Sequence, residues 1–254
     1  MTTTPFIRII ARIDIKGPNV VKTVRTEGLR VVGEPVVLAQ KYYDAGIDEI
    51  MYMDIVASLY ERNLDFDLLK RVSQNVFIPL TVGGGIRSLG DIAVALRAGA
   101  DKVAINTYAL RNPEFLKEAV ERFGAQCIVL AVDAKKKDDG SWEAYTDGGR
   151  ERTGVDVVSW IKKAIEIGVG EIALTSIDAD GTRKGYDLEL IKAVSVVSIV
   201  PLIVHAGAGK VEDIVEAVQA GGDAVCLSTL LHYNDLEVHD IKKALSASEI
   251  PVRP

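Results

Sequence analysis

The sequence predicts an α/β fold, a (β/α)8 barrel in one domain spanning residues 1–254. Three observations carry that expectation. Eight short β-rich runs alternate with amphipathic segments from one end of the chain to the other. Most of these runs are continuously apolar, as parallel strands covered on both faces must be. The chain also repeats itself: Gly207 follows Gly85, Asp223 follows Asp101, Thr229 follows Thr107 and Glu171 follows Glu49, each by 122 residues. Periodicity alone also fits a doubly wound open sheet. Two halves of four strand–helix units in register suit a closed ring with approximate twofold symmetry.

The elements follow in order. The strand candidates are residues 6–15 (FIRIIARIDI), 47–55 (IDEIMYMDI), 78–83 (IPLTVG), 101–107 (DKVAINT), 126–134 (QCIVLAVDA), 170–178 (GEIALTSID), 200–205 (VPLIVH) and 223–229 (DAVCLST). Between them lie helix candidates over 34–46, 89–100, 112–124, 156–168 and 211–222. Several of these end in glycine, the residue that most readily stops a helix.

Composition narrows the function. A chain of 254 residues, 48% hydrophobic and 26% charged, supports a sizeable core, and a net charge of −6 argues against nucleic acid as partner. Cys127 and Cys226 lie in apolar runs and read as buried free thiols rather than a disulfide or metal site. No apolar run reaches the ~18 residues of a membrane span, and the N-terminal stretch lacks a signal-peptide core. The expectation is a soluble cytoplasmic protein.

In a barrel of this kind the chemistry sits at the C-terminal ends of the strands. Asp14 ends the first strand and Asp133 the fifth, on opposite sides of the ring. Two carboxylates facing each other across the mouth suit general acid–base work; each could equally open a loop or cap a helix. The turns at 83–86 (GGGI) and 206–209 (AGAG) leave backbone N–H groups open to an anion, and each adjoins a strand ending in polar donors, at 105–107 (INT) and 227–229 (LST). One anion pocket per half follows. Arg8, Glu49, Lys102 and Glu171 stand near strand starts. They read as minor surface ion pairs or as a charged ring about the axis at the barrel base. His232 and His239 read as surface residues.

Residues 82–107 (VGGGIRSLGDIAVALRAGADKVAINT), 175–187 (TSIDADGTRKGYD) and 206–210 (AGAGK), with Asp14 and Asp133, resemble the HisF family, the cyclase subunit of imidazole glycerol phosphate synthase, through nearly the whole chain. The resemblance implies a reaction. Ammonia from a glutaminase subunit, bound as a heterodimer, attacks a ribulosyl aminoimidazole carboxamide nucleotide carrying two phosphates, in histidine biosynthesis. It also implies roles. Asp14 and Asp133 are the acid–base pair, and Lys22 is a loop residue near the substrate. Gly85, Asn106 and Thr107 hold one phosphate, and Asp180, Gly181, Gly207 and Ser228 surround the other. Arg8, Glu49, Lys102 and Glu171 form an ammonia gate, and Asp101 and Gln126 lie on the docking face. No metal or cofactor is implied.

The departures from the family pattern are Arg12 for cysteine, Thr23 for glycine, Val56 for threonine, and His205–Ala206 where the second turn usually carries Ser-Gly. They suit a HisF-like paralogue that supplies ammonia chemistry to sugar amidation in surface-glycan synthesis. A non-catalytic phosphate-binding scaffold is the remaining class. The Ala206 Cβ and His205 ring predict a weaker or reshaped second anion pocket. Strand alternation places Arg12 inside the barrel below Asp14, where its guanidinium must pair with Asp14 or Asp133.

Overall fold

The structure, a computed structural model, describes residues 6–253; the outer ends of the predicted domain and the reading of residues 1–5 lie outside the described residues. Twelve strands occur in chain order: β1 (Arg8–Lys16), β2 (Asn19–Val24), β3 (Glu27–Gly33), β4 (Glu49–Asp54), β5 (Leu80–Gly83), β6 (Lys102–Ile105), β7 (Ile128–Lys136), β8 (Trp142–Thr146), β9 (Glu151–Asp156), β10 (Glu171–Ser176), β11 (Leu202–His205) and β12 (Ala224–Leu227). Eight of them form a parallel ring in the order β1, β4, β5, β6, β7, β10, β11, β12. Pairing of β7 with β10, from Val129–Glu171 to Ala134–Ser176, and of β12 with β1 leaves no open edge. The ring is therefore closed, and the open-sheet alternative is excluded.

Strand alternation sorts the side chains into two cores. Ile9, Ala11, Ile13 and Ile15 of β1 face outward into the large cluster shared with the helices. Inward-facing Ile10 joins Met51, Ala104, Val129, Ala131, Ala173, Ile203, Ala224 and Cys226 in a separate inner cluster. Bulky branched residues usually fill a barrel interior; here four of the nine inner residues are alanine. Among the described residues no helix is long and apolar enough to cross a membrane.

Two antiparallel hairpins were not foreseen. After the ring, β1 continues into β2–β3 and β7 into β8–β9. Lys22, implied to be a loop residue, lies in β2. Short apolar pairs among polar residues in 19–33 carry too little periodicity to read as strands.

The repeat is written into hydrogen bonds as well as sequence. The carboxylate of Asp101 accepts from the Leu80 amide at 2.8 Å, and that of Asp223 from the Leu202 amide at 2.8 Å. Asp65 and Asp187 each cap the helix that begins with the next residue, accepting from Leu68 and Leu190. Ser73 and Ser195 each donate to a carbonyl 25 residues on, that of Ala98 and Ala220. Asp101→Ala and Asp223→Ala should each cost about 1–2 kcal/mol, since each strands a strand-entry amide. The double change should cost their sum to within about 0.5 kcal/mol. Urea denaturation of the four proteins checks this; strong coupling would show that the half-barrels do not stand as separate units.

Candidate active site

The base of the barrel holds the predicted ring. Glu49 accepts from Arg8 at 2.8 Å and from Lys102 at 2.8 Å, and Glu171 is paired with both Arg8 and Lys102. Thr81 adds a hydrogen bond of 2.6 Å to Glu49. Two cations and two buried carboxylates alternate around the axis, each satisfied by the next. The surface ion-pair reading fails, because Glu49 and Glu171 are buried and each bridges two cations. Asp101, immediately before β6, and Gln126, two residues before β7, lie exposed at this same end, with Asp101 tied to the entry of β5 as described.

Above the ring comes the alanine-lined layer, and above that the mouth. Arg12 Nε donates to Asp14 Oδ1 at 2.8 Å, and its Nη1 lies 3.2 Å from Thr175 Oγ1 and 3.3 Å from His205 Nδ1. The expected buried pairing thus falls on Asp14. A guanidinium can only donate, so His205 Nδ1 accepts and the neutral ring carries its proton on Nε2. Burial holds the His205 pKa well below 6.5, and the Arg12 charge pushes the same way. Burial disfavours the Arg12 charge, but the acidic groups around it, Asp14 foremost with Cys226 and Asp133, together outweigh burial and the guanidinium pKa is raised.

Asp133 stands in a different environment. Its Oδ2 accepts from Asn106 Nδ2 at 3.0 Å. Burial pushes its pKa up to about 6, Arg12 opposes the rise, and Asp14 adds to it. Both carboxylates line one hollow of about 30 Å3 with Arg12, Thr175, Asp180 and His205. One carboxylate is paired with a cation and the other is poised near neutrality. Such a division lets one group act as base and the other as acid.

The two predicted anion pockets differ sharply. A cavity of about 330 Å3 runs from Arg87 and Arg111 at the rim, past Gly84, Gly85, Asn106 and Thr107, down to Met51, Ala104, Ala131 and Ala173 of the inner layer. The hollow of the other half, lined by Asp180, Gly181, His205, Ala206, Gly207 and Ser228, measures about 10 Å3. His205 and Ala206 both line this smaller hollow. Gly84 has φ +102°, and a Cβ there would lie 2.2 Å from the Asp54 carbonyl oxygen, so only glycine fits. Its counterpart Ala206 takes φ +87°, strained for an L residue.

Several implied contacts are taken by the protein itself. Lys22 Nζ donates to Asp180 Oδ1 at 2.6 Å, and the Asp180 carboxylate also accepts from Thr23 Oγ1 at 2.8 Å and the Thr26 amide at 3.2 Å. Asn106 spends its amide on Asp133 and on the Tyr145 carbonyl. Thr107 Oγ1 accepts from the Asp147 amide at 2.9 Å. His232 is buried, not a surface residue: its Nδ1 lies 2.6 Å from Tyr42 Oη, and burial lowers its pKa to about 4. Its short helix, Thr229–His232, follows β12 and turns the ring against Tyr42, a burial that the polar residues 233–240 disguise. His239 is exposed. Thr175 was missed; counting alternate residues from Glu171 would have found it. Among the described residues no group of three or more His, Cys, Asp or Glu is placed to hold a metal ion.

Comparison with known proteins agrees on one family. A family model described as "Histidine biosynthesis protein" matches residues 8–237. The chain is 56% identical over 207 residues to the imidazole glycerol phosphate synthase subunit HisF of Legionella pneumophila, covering 82% of this chain and 98% of that one. It is 47% identical over 252 residues to the HisF subunit of Mycobacteroides abscessus, covering 97% of this chain and 98% of the other. The HisF subunit of Lachnoclostridium phytofermentans is 47% identical over 248 residues, covering 97% and 96%.

The Asp133 environment has a consequence for stability. Its native pKa of about 6 lies above the usual carboxylate value of 3.8. The native state therefore holds this proton more tightly than the unfolded chain, and the associated stability is present below about pH 4 and lost as pH rises through 6. Asp133→Asn should gain on the wild type by roughly 1–3 kcal/mol between pH 4 and pH 7.5. Urea midpoints at the two pH values check this; a gap that shrinks as pH rises would refute the burial argument.

Proposed function

This chain belongs to the HisF family of histidine biosynthesis proteins, and on that premise we propose that it is an ammonia-using cyclase, a carbon–nitrogen lyase of the imidazole glycerol phosphate synthase type. The observation that carries this is the axial path. A closed ring of Arg8, Glu49, Lys102 and Glu171 leads into an alanine-rich interior, and the large cavity opens that interior to a mouth bearing Asp14 and Asp133. Ammonia released by a glutaminase subunit docked at the base, near Asp101 and Gln126, crosses this layer as the neutral molecule. It attacks a bis-phosphorylated ribulosyl aminoimidazole carboxamide nucleotide at the mouth. Imidazole glycerol phosphate and aminoimidazole carboxamide ribotide leave.

The residues divide the proton work. Condensation of ammonia at a carbonyl expels water, and the departing oxygen needs a proton. Asp133, with its pKa near 6, supplies it. Ring closure joins the incorporated nitrogen to the carbon bearing the ribotide's amine and breaks that carbon–amine bond; Asp14, paired with Arg12, passes the proton from the former nitrogen to the departing amine. One phosphate lodges at Gly85, Asn106 and Thr107. The other requires Lys22 to leave Asp180 and the hollow at Gly181, Gly207 and Ser228 to widen.

That last requirement favours a second reading: a HisF-like paralogue that delivers ammonia chemistry to sugar amidation in surface-glycan synthesis. The specific observation is the Arg12 network, which joins Asp14, Thr175 and His205 where the family has a small thiol.

Turnover of the two-phosphate substrate with saturating ammonium salt tests both. Under either reading Asp14→Asn and Asp133→Asn each lower ammonia-dependent turnover by about 10²-fold or more. Vigorous turnover in the unmodified protein, lost on Arg12→Cys, establishes the histidine-pathway reaction. Weak turnover that rises on Arg12→Cys establishes the paralogue.

A further inference from the structure

Two buried hydroxyls flank the start and the end of one loop. Ser176 is the last residue of β10, and Tyr186 precedes Asp187, the cap of the helix Leu188–Ser195. The segment between them carries Asp180, which Lys22, Thr23 and the Thr26 amide hold from the β2–β3 hairpin. Among the described residues neither Ser176 Oγ nor Tyr186 Oη has a hydrogen-bond partner in the protein, and both oxygens are shut off from bulk solvent. A buried hydroxyl without a partner is costly, and native structures nearly always give it one.

The two groups border the same small space. Ser176 shares the parity of Leu174, so its side chain leaves the ring on the outer side, where Leu174 joins the large core. Ser176 and Tyr186 line one hollow of about 10 Å3, whose aliphatic wall comes from Leu174, Leu190, Ile191 and Val204. A space of this size holds about one water. Asp187 and His205 border it as well. His205 Nδ1 is engaged with Arg12 and Thr175, on the inner side of the sheet.

The repeat shows how the other half solves the same problem. The spacing from Glu49 to Asp65 equals that from Glu171 to Asp187, so the offset of 122 residues holds across both loops. Ser176 then corresponds to Asp54, and Tyr186 to Leu64. Asp54 is satisfied within the protein, by Arg62 at 2.7 Å and the Val56 amide at 3.2 Å, and Leu64 brings no polar group. Lys184, which corresponds to Arg62, is exposed. The first loop is closed at its neck by the chain's own ion pair. The second has two neutral hydroxyls facing a hollow in the same place.

We propose that a single internal water occupies this hollow and bridges Ser176 Oγ to Tyr186 Oη, clasping the neck of the loop that carries Asp180. The bonding balances. One hydroxyl donates to the water, and the water donates to the other. Its second proton has an acceptor in the Asp187 carboxylate, whose oxygens accept from the Leu190 amide and Trp142 Nε1 and keep further lone pairs. Burial pushes the Tyr186 pKa up, so the phenol retains its proton to donate. The site lies behind the sheet, outside the mouth, and is independent of which substrate the mouth takes.

Two experiments on the full chain test this. A high-resolution crystal structure should show one water within hydrogen-bond distance of both oxygens. An empty hollow, or a direct Ser176–Tyr186 hydrogen bond, would overturn the proposal. Thermal unfolding of Ser176→Ala, Tyr186→Phe and the double variant gives the energetic test. With a bridging water each single change lowers Tm by about 2–6 °C. The double change lowers it by less than the sum, because the second hydroxyl is lost from a bridge already broken. A dry hollow predicts the opposite sign, since deleting an unpartnered buried hydroxyl leaves Tm unchanged or raises it. The structure of the unmodified chain decides the matter even if a variant does not fold.

Discussion

The interior of a closed eight-stranded ring cannot hold a charge without a counter-charge. Removing one partner of a buried pair typically costs about 3–5 kcal/mol, because the other is left desolvated and alone. The inward-facing residues of this barrel obey that constraint at both ends. At the base, Arg8, Glu49, Lys102 and Glu171 satisfy one another in a closed circuit. At the mouth, Arg12 is tied to Asp14 and reaches His205, while burial, against the opposing Arg12 charge, raises the pKa of Asp133 to about 6. Asp14 and Asp133 hold corresponding places on β1 and β7, yet only Asp14 has a guanidinium two residues before it, where β7 has Ala131.

Between these charged layers the interior is apolar and built largely of small side chains. An alanine-rich layer forgoes some of the packing that larger residues would provide, and the cavity reaching into it is the result. A neutral small molecule crosses such a layer far more readily than an ion. Such an apolar layer above a balanced ring disfavours an ion, which is consistent with the proposed passage of ammonia as the neutral molecule.

Twofold repetition and functional asymmetry coexist because they are carried by different atoms. The repeat survives in the scaffold: strand-entry aspartates, helix caps and interhelical serine bonds recur almost unchanged. It breaks at the C-terminal rim, where side chains border the hollows and bond mainly to other side chains. A substitution there disturbs few backbone hydrogen bonds, so the rim is free to diverge while the half-barrels keep their shared frame.

By itself the sequence determined the ring of eight strands, the half-barrel repeat, the ends of the ring on which the charges fall, and the inward direction of Arg12. These are all consequences of period-two alternation and of a fixed residue offset, which are local and countable. It did not reveal the hairpins β2–β3 and β8–β9, where polar alternation is weak, nor the burial of His232, which a polar neighbourhood conceals. Only the tertiary structure decided which carboxylate Arg12 would take, that Lys22 would close on Asp180, and that the hollow beside Gly84 and Asn106 would be large and the one beside Gly207 and Ser228 small. Each of those outcomes depends on distances between side chains from strands far apart in the chain. Such distances are set by the closure of the whole barrel, and no window of sequence contains them.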